Sequence, residues 1–247
     1  MKILLGKGPF SFGSNRKVGV LLIHGFTSTP ESHLEFGKFL AKAGLTVECP
    51  LLSGHATTWQ EMAKTPYTAW LKDVEDAYLK LRKKCKKVFV TGLSMGGVLA
   101  LYLAERHPEI AGVIPVNNVM IFRDIRLLFI GLLKKLLPST PAIASDLKDK
   151  TRKELAYDRT PTASVHELLK LARVVKKDLK KVTQPILMFK SKNDHVVPRV
   201  SAPYTYNHVG SASKELIWLE ESYHVATMDV ERHIIFKESL EFIKENS

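Results

Sequence analysis

The most informative stretch of this chain is K-V-F-V-T-G-L-S-M-G-G-V-L-A-L-Y-L-A, residues 87–104. Its first part, residues 88–91, is a β-branched apolar run typical of a strand, and residues 97–104 form an apolar run typical of a buried helix. Between them lies the pentapeptide G-L-S-M-G. A G-x-S-x-G pentapeptide between a strand and a helix predicts a nucleophile elbow, with the hydroxyl of Ser94 held out at the end of the strand.

The glycines of this turn have a physical reason. A turn this tight predicts a positive φ at Ser94 and a close approach of the strand and helix backbones. We therefore expect a Cβ at Gly92 or Gly96 to collide with the neighbouring chain. The alternative interpretation is a serine in an ordinary glycine-rich turn, and the motif together with its context favours the elbow.

Composition and charge are those of an ordinary globular chain. The 247 residues suffice for one large α/β domain, and 45% of them are apolar and 25% charged. A net charge of +12 indicates either an anionic partner or a solvated lysine-rich surface. The second is favoured, because the lysines are spread along amphipathic helices and no nucleic-acid-binding motif is present. We predict no nucleic-acid partner.

The cysteines and the apolar runs bear on the compartment. Cys49 and Cys85 lack disulfide or metal-ligand spacing, which indicates free thiols in a reducing cytosol. The apolar run at the N-terminus is too short for a signal peptide. The longest apolar stretch, residues 119–137, is interrupted by charged residues and is not expected to span a bilayer. These features predict a cytoplasmic protein.

Strand-like runs alternate with helical patterns along most of the chain. A strand or hairpin is expected within residues 1–15, and a polar loop at residues 51–66. The other predicted strands are residues 18–23, 45–49, 88–91, 111–116, 186–190 and 216–219, and the predicted helices are residues 29–43, 67–84, 97–104 and 230–244. Continuously apolar strands that alternate with helices predict a mostly parallel central sheet with helices on both faces.

Residues 118–181 depart from this alternation. They contain no predicted strand, and residues 119–137 and 164–179 have helical patterns separated by prolines. An insertion at this point would cover the carboxyl ends of the strands, where ligands bind in open α/β sheets. We therefore predict a hydrolase core of residues 1–117 and 182–247, with residues 118–181 inserted as a small helical cap.

The nucleophile needs a base and an acid that orients the base. The order serine, acid, histidine is expected when a G-x-S-x-G elbow belongs to an α/β-hydrolase. Asp194 follows the predicted strand 186–190, and His224 follows the last predicted strand. His195 is a poorer candidate because it adjoins the acid. The alternatives are a helix-capping role for Asp194 and a solvated loop position for His224.

Two backbone N–H groups are predicted for the oxyanion hole. One belongs to Met95, at the positive end of the elbow helix. The other is expected in the segment His24-Gly25-Phe26-Thr27, where Gly25 allows the turn and the Phe26 N–H would point inward. His24 itself is favoured as a loop-packing residue over a catalyst.

The motifs found so far can be set beside two further short ones. The full set is His24-Gly25-Phe26-Thr27, Gly54-His55, Gly92 to Gly97, Asp194 and Tyr223-His224. It resembles the motifs of the small bacterial carboxylesterase and monoacylglycerol lipase family of α/β-hydrolases, over nearly the whole chain. The resemblance implies hydrolysis of esters with a small alcohol such as glycerol and short to medium acyl chains. It also implies Ser94, Asp194 and His224 as the catalytic triad, with Phe26 and Met95 as the oxyanion donors.

The predicted mechanism is acyl transfer through an acyl-enzyme, for which no metal and no cofactor is needed. The predicted cap either lines an acyl pocket with its apolar run or packs that run against the core. Glu154 is either a ligand for a polar alcohol or a surface carboxylate. The candidate substrate-binding residues are Gly25, Met120, Ile121, Phe122 and Glu154.

Other functions on this fold differ from ester hydrolysis in the residues that they require. An amidase or peptidase could use the same residues. A dehalogenase or epoxide hydrolase would have aspartate at position 94, so Ser94 argues against both. A non-catalytic ligand-binding relative would usually lack a triad member, and none is missing here. Lys134 and Lys135 beside an apolar helix indicate at most weak contact with a lipid interface.

Overall fold

The computed structural model describes residues 8–14, 16–142 and 145–247. In these residues the strands are β1 (Phe10–Phe12), β2 (Val18–Ile23), β3 (Thr46–Cys49), β4 (Lys87–Leu93), β5 (Gly112–Val116), β6 (Ser139–Pro141), β7 (Arg159–Pro161), β8 (Ile186–Ser191) and β9 (Lys214–Leu219). The α-helices are α1 (Leu34–Lys42), α2 (Trp59–Ala63), α3 (Tyr67–Arg82), α4 (Met95–Arg106), α5 (Ile130–Leu136), α6 (Thr162–Asp178), α7 (Ser201–His208) and α8 (Arg232–Glu245). Short 3₁₀ helices lie at Pro30–His33, Ile125–Phe129, Leu179–Lys181 and Ala226–Met228.

Seven of the strands form one sheet, in the order β1-β3-β2-β4-β5-β8-β9. The pair β1–β3 is antiparallel and the other neighbouring pairs are parallel. At the centre, β2 and β4 are in register from Val18 opposite Lys87 to Ile23 opposite Gly92. The predicted fold class, a mostly parallel sheet with helices on both faces, is confirmed.

The apolar strands are explained by cover on both faces of the sheet. In β2, Leu21 and Ile23 join the cluster that also contains residues of α3 and α4. Val20 and Leu22 join the opposite cluster, which contains residues of α1 and α8. Successive side chains of a strand point to opposite faces, so a strand buried on both sides must be apolar throughout. All six residues of β2 are buried.

The N-terminal prediction concerns a part of the chain that is only partly described. Residues 1–7 and 15 lie outside the described residues. Within the predicted range, β1 pairs with β3, with Phe10 opposite Cys49 and Phe12 opposite Val47. It forms one edge of the sheet.

The prediction of a polar loop at residues 51–66 missed helix α2. Its N-cap is Thr58, whose Oγ1 accepts a hydrogen bond from the Glu61 N–H at 3.2 Å. A threonine followed three residues later by glutamate is the sequence signature of a capping box, so this helix could have been found from the sequence.

The segment between β5 and β8, residues 118–181, is called the intervening segment. The prediction that it lacks strands was wrong, because β6 and β7 form a two-stranded antiparallel ladder. Each strand has three residues and ends in a proline, Pro141 or Pro161, so the sequence shows the breaks but no strand pattern. The first predicted helix is also shorter than expected, since helical structure begins at Ile125.

The intervening segment is fastened to the loop that follows β3. The Tyr157 hydroxyl donates to the Gly54 carbonyl at 2.6 Å. The Ser164 hydroxyl donates to the Met62 carbonyl at 3.0 Å. These bonds tie the segment to the part of the chain between β3 and α3. No helix among the described residues is both long and apolar enough to cross a membrane.

Candidate active site

Ser94 lies on the turn between β4 and α4. Its φ of 56° and ψ of −115° confirm the expected positive φ. A Cβ on Gly92 would lie 2.3 Å from the carbonyl carbon of Gly96, and one on Gly96 would lie 2.0 Å from the Ile23 carbonyl oxygen. The expected collisions are therefore present, and only glycine fits at either position. The tight turn places Ser94 at the carboxyl end of the central strand.

Asp194 and His224 follow β8 and β9, and the fold brings their side chains together. His224 Nδ1 lies 3.0 Å from Asp194 Oδ2. Asp194 Oδ1 accepts hydrogen bonds from the N–H groups of Val196 and Val197, at 2.9 and 2.8 Å. Burial by itself would raise the pKa of Asp194, but the neighbouring His224 and Lys190 hold that pKa well below its usual range. The carboxylate is thus kept ionised and fixed on the ring.

Ser94 and His224 line the same cavity, which has a volume of about 370 Å³. The volume falls within the range of small-molecule sites in proteins. Most of the wall is apolar, and its polar residues besides Ser94 and His224 come from the loop after β2 and from the intervening segment. The lining includes Phe26, Leu93, Val119, Ile121, Phe122, Leu127, Val165, Leu168, Val196 and Val225, and on the polar side Thr27, Asp146, Glu154 and Thr160.

The loop after β2 forms one wall of this cavity. Gly25 and Phe26 both line it, and a Cβ on Gly25 would lie 3.7 Å from the Cβ of Ser94. The Phe26 ring packs edge-on against Trp70, with 6.1 Å between the ring centroids. Met95 is the first residue of α4, and its side chain is buried. The N–H of the first residue of a helix has no partner within the helix, so the Met95 N–H is available to an anion.

His24 is fully buried behind this wall. Its Nε2 accepts a hydrogen bond from the Leu52 N–H at 3.1 Å, and its Nδ1 lies 3.0 Å from the Gly25 carbonyl oxygen. Burial, aided by the neighbouring His55, lowers the pKa of His24 well below its usual range. A neutral ring with both nitrogens engaged packs the loop, in agreement with the role that the sequence favours.

Four of the five candidate substrate-binding residues line the cavity, and Met120 does not. Met120 is fully buried in the core, and its N–H donates to the Ser201 hydroxyl at 3.0 Å. An uninterrupted apolar run cannot show which of its members faces a cavity. Glu154 lines the cavity, and burial raises its pKa. Its Oε2 accepts from the Ser145 N–H at 3.4 Å.

Sequence reasoning missed residues that connect the loops of the site. Asn117, at the end of β5, donates from Nδ2 to Ser191 Oγ at 3.0 Å and to the His224 carbonyl at 2.8 Å. Asp146 Oδ2 accepts from the His224 N–H at 3.1 Å, and Asp146 Oδ1 lies 2.9 Å from His195 Nδ1. Asn117 could have been predicted from the sequence, because it is a polar residue directly after a buried strand, where site residues lie in a parallel sheet. Asp146 gives no such signal.

Comparison with known proteins decides the family. The family model described as serine aminopeptidase, S33, matches residues 14–231. The chain belongs to this family. It is a serine hydrolase with the α/β-hydrolase fold, and the predicted resemblance is confirmed.

Individual relatives match nearly the full length. A thermostable monoacylglycerol lipase of Bacillus sp. (strain H-257) is 43% identical over 250 residues, which cover 99% of this chain and 97% of the relative. A carboxylesterase of Bacillus subtilis (strain 168) is 30% identical, with 99% and 98% covered. Among solved structures, one from a study of the metagenome-derived lipolytic enzymes LipS and LipT has a TM-score of 0.95 at 39% identity, with 99% and 100% covered.

Proposed function

We propose that this serine hydrolase cleaves carboxylic esters, with Ser94 as nucleophile, His224 as general base and Asp194 as the residue that orients the base. The observation that carries the proposal is the hydrogen bond of 3.0 Å between Asp194 and His224, at a cavity that Ser94 also lines. His224 removes the proton of Ser94 during attack on the ester carbonyl, and the ionised Asp194 stabilises the charged ring. His224 then protonates the departing alcohol, and water repeats the cycle on the acyl-enzyme.

The oxyanion of the tetrahedral intermediate is proposed to bind the N–H groups of Phe26 and Met95. Two features support this: the loop after β2 lies against Ser94, and Met95 begins helix α4. The positive end of a helix favours negative charge. Loss of one such donor typically costs about 3 kcal/mol in the transition state.

The proposed substrates are esters of a small alcohol such as glycerol with short to medium acyl chains. The names of the two bacterial relatives, a monoacylglycerol lipase and a carboxylesterase, support this class. The cavity fits it in chemistry, since an apolar wall that includes Ile121 and Phe122 suits an acyl chain. Glu154 and Asp146 on the polar side could accept hydrogen bonds from the hydroxyls of the alcohol.

We also propose that residues 1–117 and 182–247 act as the hydrolase core and the intervening segment as its cap. The segment supplies cavity residues and also has an exposed apolar surface. Ile125, Phe129, Leu132 and Leu136 are each between 62% and 75% exposed. Such a surface fits transient contact with a lipid interface, where the substrates would be concentrated.

Hydrolysis of p-nitrophenyl esters and monoacylglycerols of graded chain length tests the proposal. We expect activity on both series, with a maximum at short to medium chains. Ser94→Ala removes the nucleophile and should lower kcat by a factor of about a million. Activity that persists unchanged in Ser94→Ala would contradict the mechanism. The description of the family model names an aminopeptidase, so peptidase activity is tested separately with an aminoacyl p-nitroanilide.

A further inference from the structure

Lys190, the next-to-last residue of the buried strand β8, has a side chain with no exposed surface. Lysine is among the residues least often fully buried, and a buried ammonium needs a partner. Its Nζ donates to Asp194 Oδ2 at 2.5 Å and to the Val197 carbonyl at 2.9 Å. The side chain of Asp194 is equally buried, so the two groups form an ion pair shielded from water.

The carboxylate oxygen that binds Lys190 is also the one that binds His224. Asp194 Oδ2 therefore has two partners, the ammonium and the imidazole. Lys190 also holds the Val197 carbonyl, while the Val197 N–H donates to Asp194 Oδ1. The ammonium thus fixes the loop that carries the acid and supplies a positive charge beside it.

We propose that Lys190 is a positioning residue that fixes Asp194 and balances its negative charge, and thereby extends ester hydrolysis to lower pH. The inference rests on the proposed roles of Ser94, Asp194 and His224. Without the ammonium, an uncompensated carboxylate would hold a proton on His224 more strongly. A protonated His224 cannot act as the base, so loss of Lys190 would confine activity to higher pH.

Other charged groups also face this cluster. Asp146, paired with His195, accepts a hydrogen bond from the His224 N–H. Glu154 lies close enough to His224 for electrostatic interaction, and Arg199 lies close enough to Lys190. None of them is altered by a substitution at Lys190, so a changed pH profile reports on the ammonium.

The test compares kcat/KM for p-nitrophenyl butyrate between about pH 5 and pH 9 in wild type and three variants. Lys190→Met removes the charge at similar length, and Lys190→Gln removes the charge but keeps a donor. Lys192→Met is the matched control, because it removes an exposed lysine that pairs with Glu220. We expect the acidic limb of both Lys190 variants to move up by about one pH unit with little change in KM. Lys192→Met should follow wild type.

A purely structural role would lower activity equally at all pH values, so an acidic limb unchanged in both Lys190 variants would overturn the proposal. Lys190→Gln should also keep a higher kcat on the alkaline plateau than Lys190→Met, because it can still donate to Asp194.

A second measurement covers the case in which a Lys190 variant folds poorly. Thermal unfolding of Asp194→Asn, Lys190→Met and the double variant forms a double-mutant cycle. Asp194→Asn leaves a buried unpaired ammonium, so the double variant should unfold at a higher temperature than Asp194→Asn alone. Additive losses in the cycle would contradict the pairing.

Ester hydrolysis that does not depend on Ser94 would instead refute the proposed function and leave the result of the cycle unaffected.

Discussion

The carboxyl edge of the main sheet and the outer surface of the intervening segment differ in their side chains: buried polar groups lie at the first, and exposed apolar groups at the second. At the sheet edge, Asp194, Lys190 and Asn117 are buried, and each is hydrogen-bonded to neighbouring loops. On the intervening segment, Phe129 and Leu136 are 64% and 75% exposed. A buried polar group without a partner is costly, so the edge admits one arrangement. Contact of an exposed apolar side chain with another apolar surface is favourable, because it removes apolar area from water.

The contrast separates two requirements of an esterase. Proton transfer needs groups held in a fixed geometry, and the network at the edge fixes the Asp194 carboxylate against the His224 ring. Access of a lipid-like substrate needs an apolar surface and a wall that tolerates different chains. Each of the four predictions that follow pairs a substitution with a control substitution elsewhere in the chain.

The largest expected effect comes from a pair of glycine substitutions. Gly96→Ala places a methyl group 2.0 Å from the Ile23 carbonyl oxygen, in a turn with no space to yield. We expect a loss of stability above the usual range of about 0.5–3 kcal/mol for single substitutions, sufficient to prevent folding. Gly131→Ala, in helix α5, meets only His166 Cε1 at 3.8 Å. It should raise stability by about 0.5–1 kcal/mol, because alanine favours a helix over glycine.

Circular dichroism and thermal unfolding of both variants check this pair. A folded, active Gly96→Ala would show that the elbow is less tightly packed than the sheet edge implies. An unfolded Gly131→Ala would show that the intervening segment is not the more tolerant region.

Asp194→Asn should lower kcat by about ten-thousandfold with a small change in KM. An amide cannot stabilise the charged ring of His224 and favours the wrong tautomer. Steady-state kinetics with p-nitrophenyl butyrate measure the effect. Asp158→Asn, an exposed carboxylate of the intervening segment, is the control and should keep wild-type kcat. A decrease of less than tenfold in Asp194→Asn would argue against its proposed role.

Buried histidines of the core predict a loss of stability in acid. Burial lowers the pKa of His33 to about 3 and that of His55 to about 4, from an ordinary value of 6.5. Below pH 6.5 the unfolded chain therefore binds protons that the folded chain does not, so the free energy of unfolding falls as the pH decreases. The loss continues down to about pH 4 for His55 and about pH 3 for His33, at up to about 1.4 kcal/mol per pH unit for each histidine.

Urea unfolding at a series of pH values between about 7 and 4 measures this slope. His55→Gln should make it shallower by about 1.4 kcal/mol per pH unit. His233→Gln, which alters an exposed histidine of helix α8, should change the slope little. Equal slopes in wild type and His55→Gln would refute the contribution of His55 to the loss of stability in acid.

The smallest expected effect concerns the exposed apolar surface. The double substitution Phe129→Ser and Leu132→Ser should lower the rate on emulsified monoacylglycerol by about two- to fivefold, because less apolar area contacts the interface. The rate on soluble p-nitrophenyl acetate should stay near that of wild type. Leu79→Ser, which alters an exposed leucine of helix α3, should change neither rate. A parallel decrease on both substrates would indicate damage to the cavity instead of lost interfacial contact.

The sheet, the elbow and the chain positions of the candidate triad can be predicted from the order of residues alone. The signals for these features are local. Continuous apolar runs indicate strands covered on both faces, and two glycines around Ser94 are needed wherever backbones approach this closely. Asp194 and His224 could be placed because each follows a recognisable strand near the C-terminal edge of a parallel sheet.

Which side chains meet at that edge follows from the three-dimensional packing of the chain and cannot be predicted from local patterns. Lys190 has the sequence appearance of an ordinary charged residue at a strand end, and Asp146 that of a loop residue. The burial of one and the contacts of the other follow from where distant loops converge. Met120 and Ile121 are neighbours in one apolar run, yet Ile121 alone lines the cavity, because backbone direction in three dimensions sets which side chain faces inward. The ladder of β6 and β7 is similarly fixed by pairing between segments eighteen or more residues apart, from Pro141 opposite Arg159 outward.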